Sequence, residues 1–212
     1  PEEAKSLYKR ALFTQTIALG PGNITNASIL NNLANLASSQ GELSEALALH
    51  KRALTIRRQN LNPDHKDIAQ SLRNIAETLI DLGEDVEARH NSLQALSIYE
   101  RSLGPTHPDF ADSVTTLAVI EYNASRYKDA LSLFEKAVTL YESQAGEQEQ
   151  EPRAHYGLAK SLLRTRGDHA RAVLAARRAR NGYRQLGARK AKDLAEVEQW
   201  LTEHDRDRKS VV

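Results

Sequence analysis

The sequence predicts an all-α fold, a solenoid of stacked antiparallel helix pairs, and three observations carry that prediction. Ten alanines recur in two strict registers forty-two residues apart. One register holds Ala4, Ala46, Ala88, Ala130 and Ala172; the other holds Ala11, Ala53, Ala95, Ala137 and Ala179. Apolar residues around them fall at spacings of three and four, the period of one buried helical stripe. A linker returns as Leu19-Gly20-Pro21, Leu61-Asn62-Pro63 and Leu103-Gly104-Pro105. Self-similarity at such a period marks helix hairpins that bury their apolar faces only against one another.

Taken in order, residues 2–19 align with the second helix of the unit, since Ala4, Leu7 and Ala11 stand where Ala46, Leu49 and Ala53 stand. They read as the end of a truncated repeat whose partner helix is expected upstream, in a longer parent protein. The lack of any Met points the same way. Three full repeats follow, at 23–60, 65–102 and 107–143. In their first helices Leu30, Leu33 and Ala34 become Leu72, Ile75 and Ala76, then Val114, Leu117 and Ala118. Gly41 and Gly83 occupy the turn into the second helix, and Ser125 holds that place in the third repeat. In the linkers, Gly or Asn before Pro suits a helix end, because those residues tolerate the left-handed conformation and Pro cannot extend the helix. Asp67 and Asp109 fall in the next first turn, where a carboxylate complements the helix dipole. Pro108 suits an opening position, where its missing N–H costs nothing.

The fourth repeat, 149–186, is degenerate. It keeps Leu158-Ala159 one residue out of register and regains register at Gly167 and Ala172. The linker before it, 144–151, is acidic and has no Gly-Pro. Residues 188–204 read as one closing helix with Ala191, Leu194, Val197 and Leu201 on a face that covers the end of the stack, as terminal repeats require. Residues 205–212 read as a frayed tail.

Composition narrows the class. The chain has 212 residues, is 40% hydrophobic and only 5% aromatic, so its core is mostly Ala and Leu. It has no Cys, which excludes disulfides and thiolate metal sites. No apolar run nears the roughly 18 residues of a membrane span, and no signal peptide is visible. A cytoplasmic location is expected.

The run Asn31-Asn32-Leu33-Ala34, followed by Gly41, Ala46 and Ala53, resembles the tetratricopeptide repeat. So does the linker Leu103-Gly104-Pro105-Thr106-His107-Pro108-Asp109. The period matches the long variant of kinesin light chains and many bacterial signalling proteins. The resemblance implies a right-handed α–α superhelix that works as a protein-binding scaffold. The stretch from Arg177 to Leu201 is also similar to the C-terminal end of bacterial Ser/Thr protein kinases that carry such repeats, although no kinase element is present here.

Catalytic and metal motifs give way to simpler readings. His65 and His107 share one repeat position and finish a loop; His50 and His90 lie on helices without a metalloprotease pattern. Ser6-x-x-Lys9 and Ser125-x-x-Lys128 lack the companions of a penicillin-binding site. Gly20-Pro21-Gly22 has no following Gly-Lys and no preceding strand. No enzyme, metal or cofactor is expected.

The resemblance also implies where a ligand sits, because in this family the first helices line the concave face. Residue-wise alignment places Ser28, Asn31, Asn32, Asn35 and Ser39 there in the first full repeat. In the second it places Gln70, Arg73, Asn74, Glu77 and Asp81, and in the third Asp112, Thr115, Thr116, Tyr122 and Asn123. Asn is a modest helix former whose amide both donates and accepts, which suits an extended peptide backbone. A carboxylate clamp of the chaperone-tail kind does not fit. Asn35 and Asn74 match it, but Asn31, Asp112 and Thr116 stand where basic residues belong.

Charge is polarised although the net charge is only +1. Between Arg153 and Lys192 twelve basic residues face a single acid, Asp168. Such a segment suits nucleic acid or an acidic partner. Only Tyr156 and Tyr183 lie among these cations, so base stacking has little to work with, and the segment reads as a solvated arginine-rich face. The expectation is a non-catalytic scaffold whose partner is a protein or peptide. The second reading is a regulatory or substrate-recruiting region of a Ser/Thr kinase.

Overall fold

The computed structural model describes residues 2–144, 148–165 and 167–205. Residues 145–147 of the expected acidic linker, Arg166, and residues 206–212 of the expected tail lie outside the described residues. Ten α-helices are described: α1 (Glu2–Leu19), α2 (Ile24–Ser39), α3 (Leu43–Asn60), α4 (Lys66–Leu82), α5 (Asp85–Leu103), α6 (Pro108–Asn123), α7 (Tyr127–Glu142), α8 (Glu151–Arg164), α9 (His169–Leu186) and α10 (Ala191–His204). No strand occurs among the described residues. The chain divides into two compact units, Pro1–Pro105 and Thr106–Val212.

In the first unit α2 pairs with α3 and α4 with α5, and α1 packs on α2. The helix starts follow from side-chain caps. Asn23 accepts from the Thr25 N–H at 3.0 Å to open α2. His65, one repeat later, does the same for α4 through Nδ1, which accepts from the Asp67 N–H at 3.1 Å. The loop histidine is therefore a helix cap, satisfying a backbone donor that the helix itself cannot pair. The turns into α3 and α5 close at Gly41 (φ +79°) and Gly83 (φ +78°), a left-handed conformation that costs glycine little. Leu30, Leu72, Ile75 and Leu79 form the apolar interior, and Ala46, Ala53, Ala88 and Ala95 of α3 and α5 are fully buried against it. Each such Leu or Ile contributes about 1.5–3 kcal/mol by leaving water.

The alanine registers lose their packing at α1. Ala4 is half-buried and Ala11 exposed, while Leu7, Phe13 and Ile17 are 55%, 68% and 70% exposed. On α1, no described helix covers the face that α3 and α5 present to their own first helices.

In the second unit α6 pairs with α7 and α8 with α9, and α10 packs on α9. His107 caps α6 as His65 caps α4, accepting from the Asp109 N–H at 3.1 Å, with Pro108 as the first helical residue. Ser125 adopts φ +60° in the place of the turn glycine. Asp168 caps α9 by accepting from the Ala170 N–H at 2.7 Å. Residues Gly187–Lys190 form a 3-10 turn. On α10, Val197 and Leu201 are buried, Leu194 is half-buried, and Ala191 is exposed rather than on the covered face.

A shared device ties the ends of α3 and α5, and the residues just after α7, back to the linker before each one's own hairpin. The Asn60 amide donates to Gly22 O at 3.0 Å, Arg101 pairs with Asp64 at 2.7 Å, and the Gln144 amide donates to Thr106 O at 3.0 Å. Such bonds fix the register of neighbouring turns more than they add energy, because exposed pairs are individually weak.

Candidate docking surfaces

The expected ligand-facing residues divide between the two units, and each unit is a surface of its own.

In the first unit, Ser28, Asn32, Asn35 and Ser39 are exposed on α2. Asn31 is not: it is 8% exposed, and its Oδ1 accepts from the Asn74 amide of α4 at 2.8 Å. This bond ties the two first helices together at equivalent depth, so Asn31 serves the scaffold. Gln70 is half-buried and accepts from Arg57 Nη2 at 3.1 Å. Arg57 is itself buried and also donates to Asp67 O at 2.7 Å and Ser71 Oγ at 2.8 Å. Arg73 and Glu77, both half-buried, pair at 3.1 Å one helical turn apart. Asp81 is exposed. What this surface offers is a row of amides: Asn32 and Asn35 reach solvent, and neither is engaged in a hydrogen bond among the described residues.

In the second unit two expected contacts turn inward. Thr116 is 1% exposed and donates to Asp112 O at 3.1 Å. Thr115 is fully buried and meets the Tyr141 hydroxyl at 3.1 Å. Tyr141 also donates to Asp112 Oδ1 at 2.8 Å. A threonine hydroxyl bonded to the carbonyl one turn back can lie inside a packed helix, so polarity alone overstated the exposure of this stretch. Tyr122 is half-buried and Asn123 exposed.

The first-helix positions continue on α8, where sequence reading did not look. Ala159 is as buried as Ala34, Ala76 and Ala118. Taking these as equivalent puts Arg153, Tyr156, Lys160 and Arg164 in the places of Ser28, Asn31, Asn35 and Ser39. Lys160 and Arg164 meet aromatic rings from α8 itself and from α6 and α7. Lys160 Nζ lies 4.4 Å from the Tyr156 ring centroid and 5.3 Å from that of Tyr122. Arg164 stands 5.5 Å over the Tyr127 ring, and Tyr122 lies close by. Tyr122 and Tyr127 meet edge to face at 5.2 Å. Tyr156 meets Trp200 of α10 in the same way at 6.3 Å, and Trp200 stacks on His204 at 4.2 Å. Burial pushes the Lys160 ammonium below its usual range, opposed by Glu196, and pushes the Tyr156 phenol up. The signal that finds these residues is a one-residue shift of the repeat at Leu158-Ala159. Tyr122 was expected on the ligand-facing surface and Tyr156 noted among the cations; Tyr127 and Trp200 were missed because they come from α7 and α10 rather than from the basic segment itself.

The rest of that basic segment is largely paired. Arg171 meets Glu135 at 3.0 Å, Arg178 meets Glu142 at 2.6 Å, Arg177 meets Asp205 at 2.7 Å and Arg184 meets Glu198 at 2.5 Å. The arginines of α9 thus tie it to α7 on one side and α10 on the other. Among the described residues no group of three or more His, Asp or Glu is placed to hold a metal ion. No described helix is long and apolar enough to cross a membrane.

Helix hairpins repeated in one register, with polar first-helix faces, define a helical-repeat scaffold. The sequence profile of the tetratricopeptide repeat matches residues 1–59, 25–101, 67–143 and 109–185, and the chain belongs to that family. Among solved structures it is similar to BtubC (BKLC) from P. vanneervenii, with a TM-score of 0.74 and 21% identity, over 88% of this chain and 74% of the other. It is also similar to the nearly identical TPR-like repeats of a putative kinesin light chain from Podosopora anserina, with a TM-score of 0.67 and 19% identity, over 88% and 89% of the two chains. A point-substituted form of the latter gives a TM-score of 0.66 at 17% identity, over 98% and 88%. These likenesses establish the fold. A comparison with curated proteins gives no match. Membership of the family supports a protein-interaction scaffold.

Proposed function

We propose that the chain docks a peptide or partner domain on its first-helix faces and makes or breaks no bond. The observation that carries this reading is the pair Asn32 and Asn35. Both amides are exposed on α2 without an internal hydrogen bond, in a helix where Asn contributes little to stability. An amide in that setting is suited to pair with the N–H and C=O groups of an extended peptide, and Asn74 is held beside them by its bond to Asn31.

The test is selection of peptides from a displayed library on the wild-type protein, followed by affinity measurement on Asn32→Ala/Asn35→Ala. Both side chains are exposed, so the double variant should melt as wild type does, within about 0.5 kcal/mol. Binding of the selected peptides should weaken by about tenfold, the effect of losing roughly 1.4 kcal/mol of hydrogen bonding. Undiminished binding of every selected peptide would contradict the reading. The kinase reading rests on the resemblance of residues 177–201 alone, and docking stands without it.

A further inference from the structure

We propose that the α8 face of the second unit takes an extended acidic peptide whose Asp or Glu residues occupy alternate positions. The site shares with the docking reading above only the premise that first-helix faces carry the ligand.

Spacing sets the ligand. Lys160 and Arg164 are one helical turn apart on α8, a rise of about 6 Å. In an extended peptide, residues i and i+2 point to the same side and lie about 6.6–7 Å apart. Two carboxylates at alternate positions therefore match two cations at i and i+4, whereas adjacent acidic residues would point to opposite sides.

Charge sets its sign. Arg164 is exposed and has no carboxylate partner among the described residues; its neighbours are the Tyr122 and Tyr127 rings. Its guanidinium edge is left for a carboxylate, which it can grip with two parallel hydrogen bonds. Lys160 has Glu196 at 3.8 Å, beyond hydrogen-bond distance, so its ammonium keeps donor capacity for a closer oxygen. The tyrosine rings on either side hold both cations in place, which lowers the entropy lost when a ligand orders them. Tyr122, Tyr127 and Trp200 are half-buried and offer flat apolar walls to the backbone of such a peptide.

The same features argue against nucleic acid. A phosphate backbone needs a continued track of free cations, and Arg171, Arg177, Arg178 and Arg184 are each committed to a carboxylate. Two cations flanked by aromatics make a short, local site.

The experiment is fluorescence anisotropy on the full chain with three labelled probes: a peptide of alternating Glu and Ser, the same peptide with Gln for Glu, and single-stranded oligothymidine. The Glu peptide should bind at least about tenfold more tightly than the Gln peptide. Lys160→Gln/Arg164→Gln should weaken the Glu peptide by about tenfold, and Arg164→Gln alone, at an exposed site, by several-fold with an unchanged melting curve. Asn32→Ala/Asn35→Ala should leave its affinity unchanged. Equal binding of the Glu and Gln peptides, failure of the Glu peptide to bind, or wild-type affinity in Arg164→Gln would overturn the proposal. So would oligothymidine binding more tightly than the Glu peptide and weakening in the double cation variant, an outcome that assigns the site to nucleic acid. None of these results touches peptides selected through Asn32 and Asn35, so the two readings fail separately.

Discussion

The tip of the Phe134 ring rests on the bare backbone of Gly157, so that a methyl group on that glycine would stand 2.1 Å from the ring. Phe134 is 1% exposed and fills the space between α7 and α8. The equivalent position on α2, α4 and α6 carries Asn32, Asn74 and Thr116, so the fourth repeat has exchanged a polar side chain for a glycine that admits a buried ring. Gly157→Ala should destabilise the second unit by about 1–3 kcal/mol, the usual range for overpacking, despite alanine's better helix propensity. Phe134→Leu/Gly157→Ala should recover part of the loss. Urea denaturation of both variants checks this; an unchanged midpoint in the single variant would refute the contact.

Ser125 takes φ +60° where Gly41 and Gly83 take nearly the same angle. A side chain in that conformation strains the backbone by roughly 1–2 kcal/mol. Ser125→Gly relieves the strain but adds freedom to the unfolded chain, so a net gain of about 0.5–1 kcal/mol is expected. The mirror change, Gly83→Ser, should cost a similar amount. A Cβ there meets nothing within 4 Å, so the whole effect is conformational. Thermal melts of the two variants should shift in opposite directions, and a shift of the same sign in both would show that the turn is not governed by backbone strain.

The alanine register gives a paired test of hairpin packing. Ala95 is fully buried between α4 and α5, and Ala11, at the same repeat position, is exposed on α1. Ala95→Leu should cost about 1–3 kcal/mol by overpacking, whereas Ala11→Leu should stay within about 0.5 kcal/mol of wild type. Equal losses measured by denaturant titration would mean that the two positions are packed alike.

Much of the fold was legible because the repeat supplies its own controls. Ala46, Ala88, Ala130 and Ala172 are each fully buried, as a recurring small residue at a close approach implies. The docking surfaces were legible only in part. Periodicity tells which face of a helix a residue occupies, but not whether a neighbouring side chain has claimed it. Asn31 and Gln70 lie on the expected face and are already engaged, by Asn74 and Arg57. The cluster around Lys160 was hidden for a different reason. Tyr156 and Arg164 share its spacing on α8, but Tyr122, Tyr127 and Trp200 come from three other helices, and no local spacing joins those to it. The histidine caps were likewise invisible as caps, because only Asn23 at that position belongs to the usual capping residues.

His50 links the buried polar interior to acid sensitivity. It is 2% exposed on α3, and its Nδ1 is buried without a hydrogen-bond partner among the described residues. Burial drives its pKa from 6.5 down to about 4; Arg57 adds to the depression and Glu77 opposes it. The folded protein therefore holds the imidazole neutral where the unfolded chain would protonate it. Stability from this group is complete above pH 6.5, falls as the pH drops towards 4, and levels off below that because both states are then charged. The full loss is roughly 3 kcal/mol. His155 acts in the same direction in the second unit, its pKa lowered by burial and by Arg178 against the pull of Glu151 and Glu142. His50→Leu keeps the volume close while removing the titration, so its stability should exceed that of wild type increasingly from pH 6.5 to 4.5. Urea titrations across that range measure the difference, and a wild-type curve as flat as the variant's would show that His50 is not buried in its neutral form.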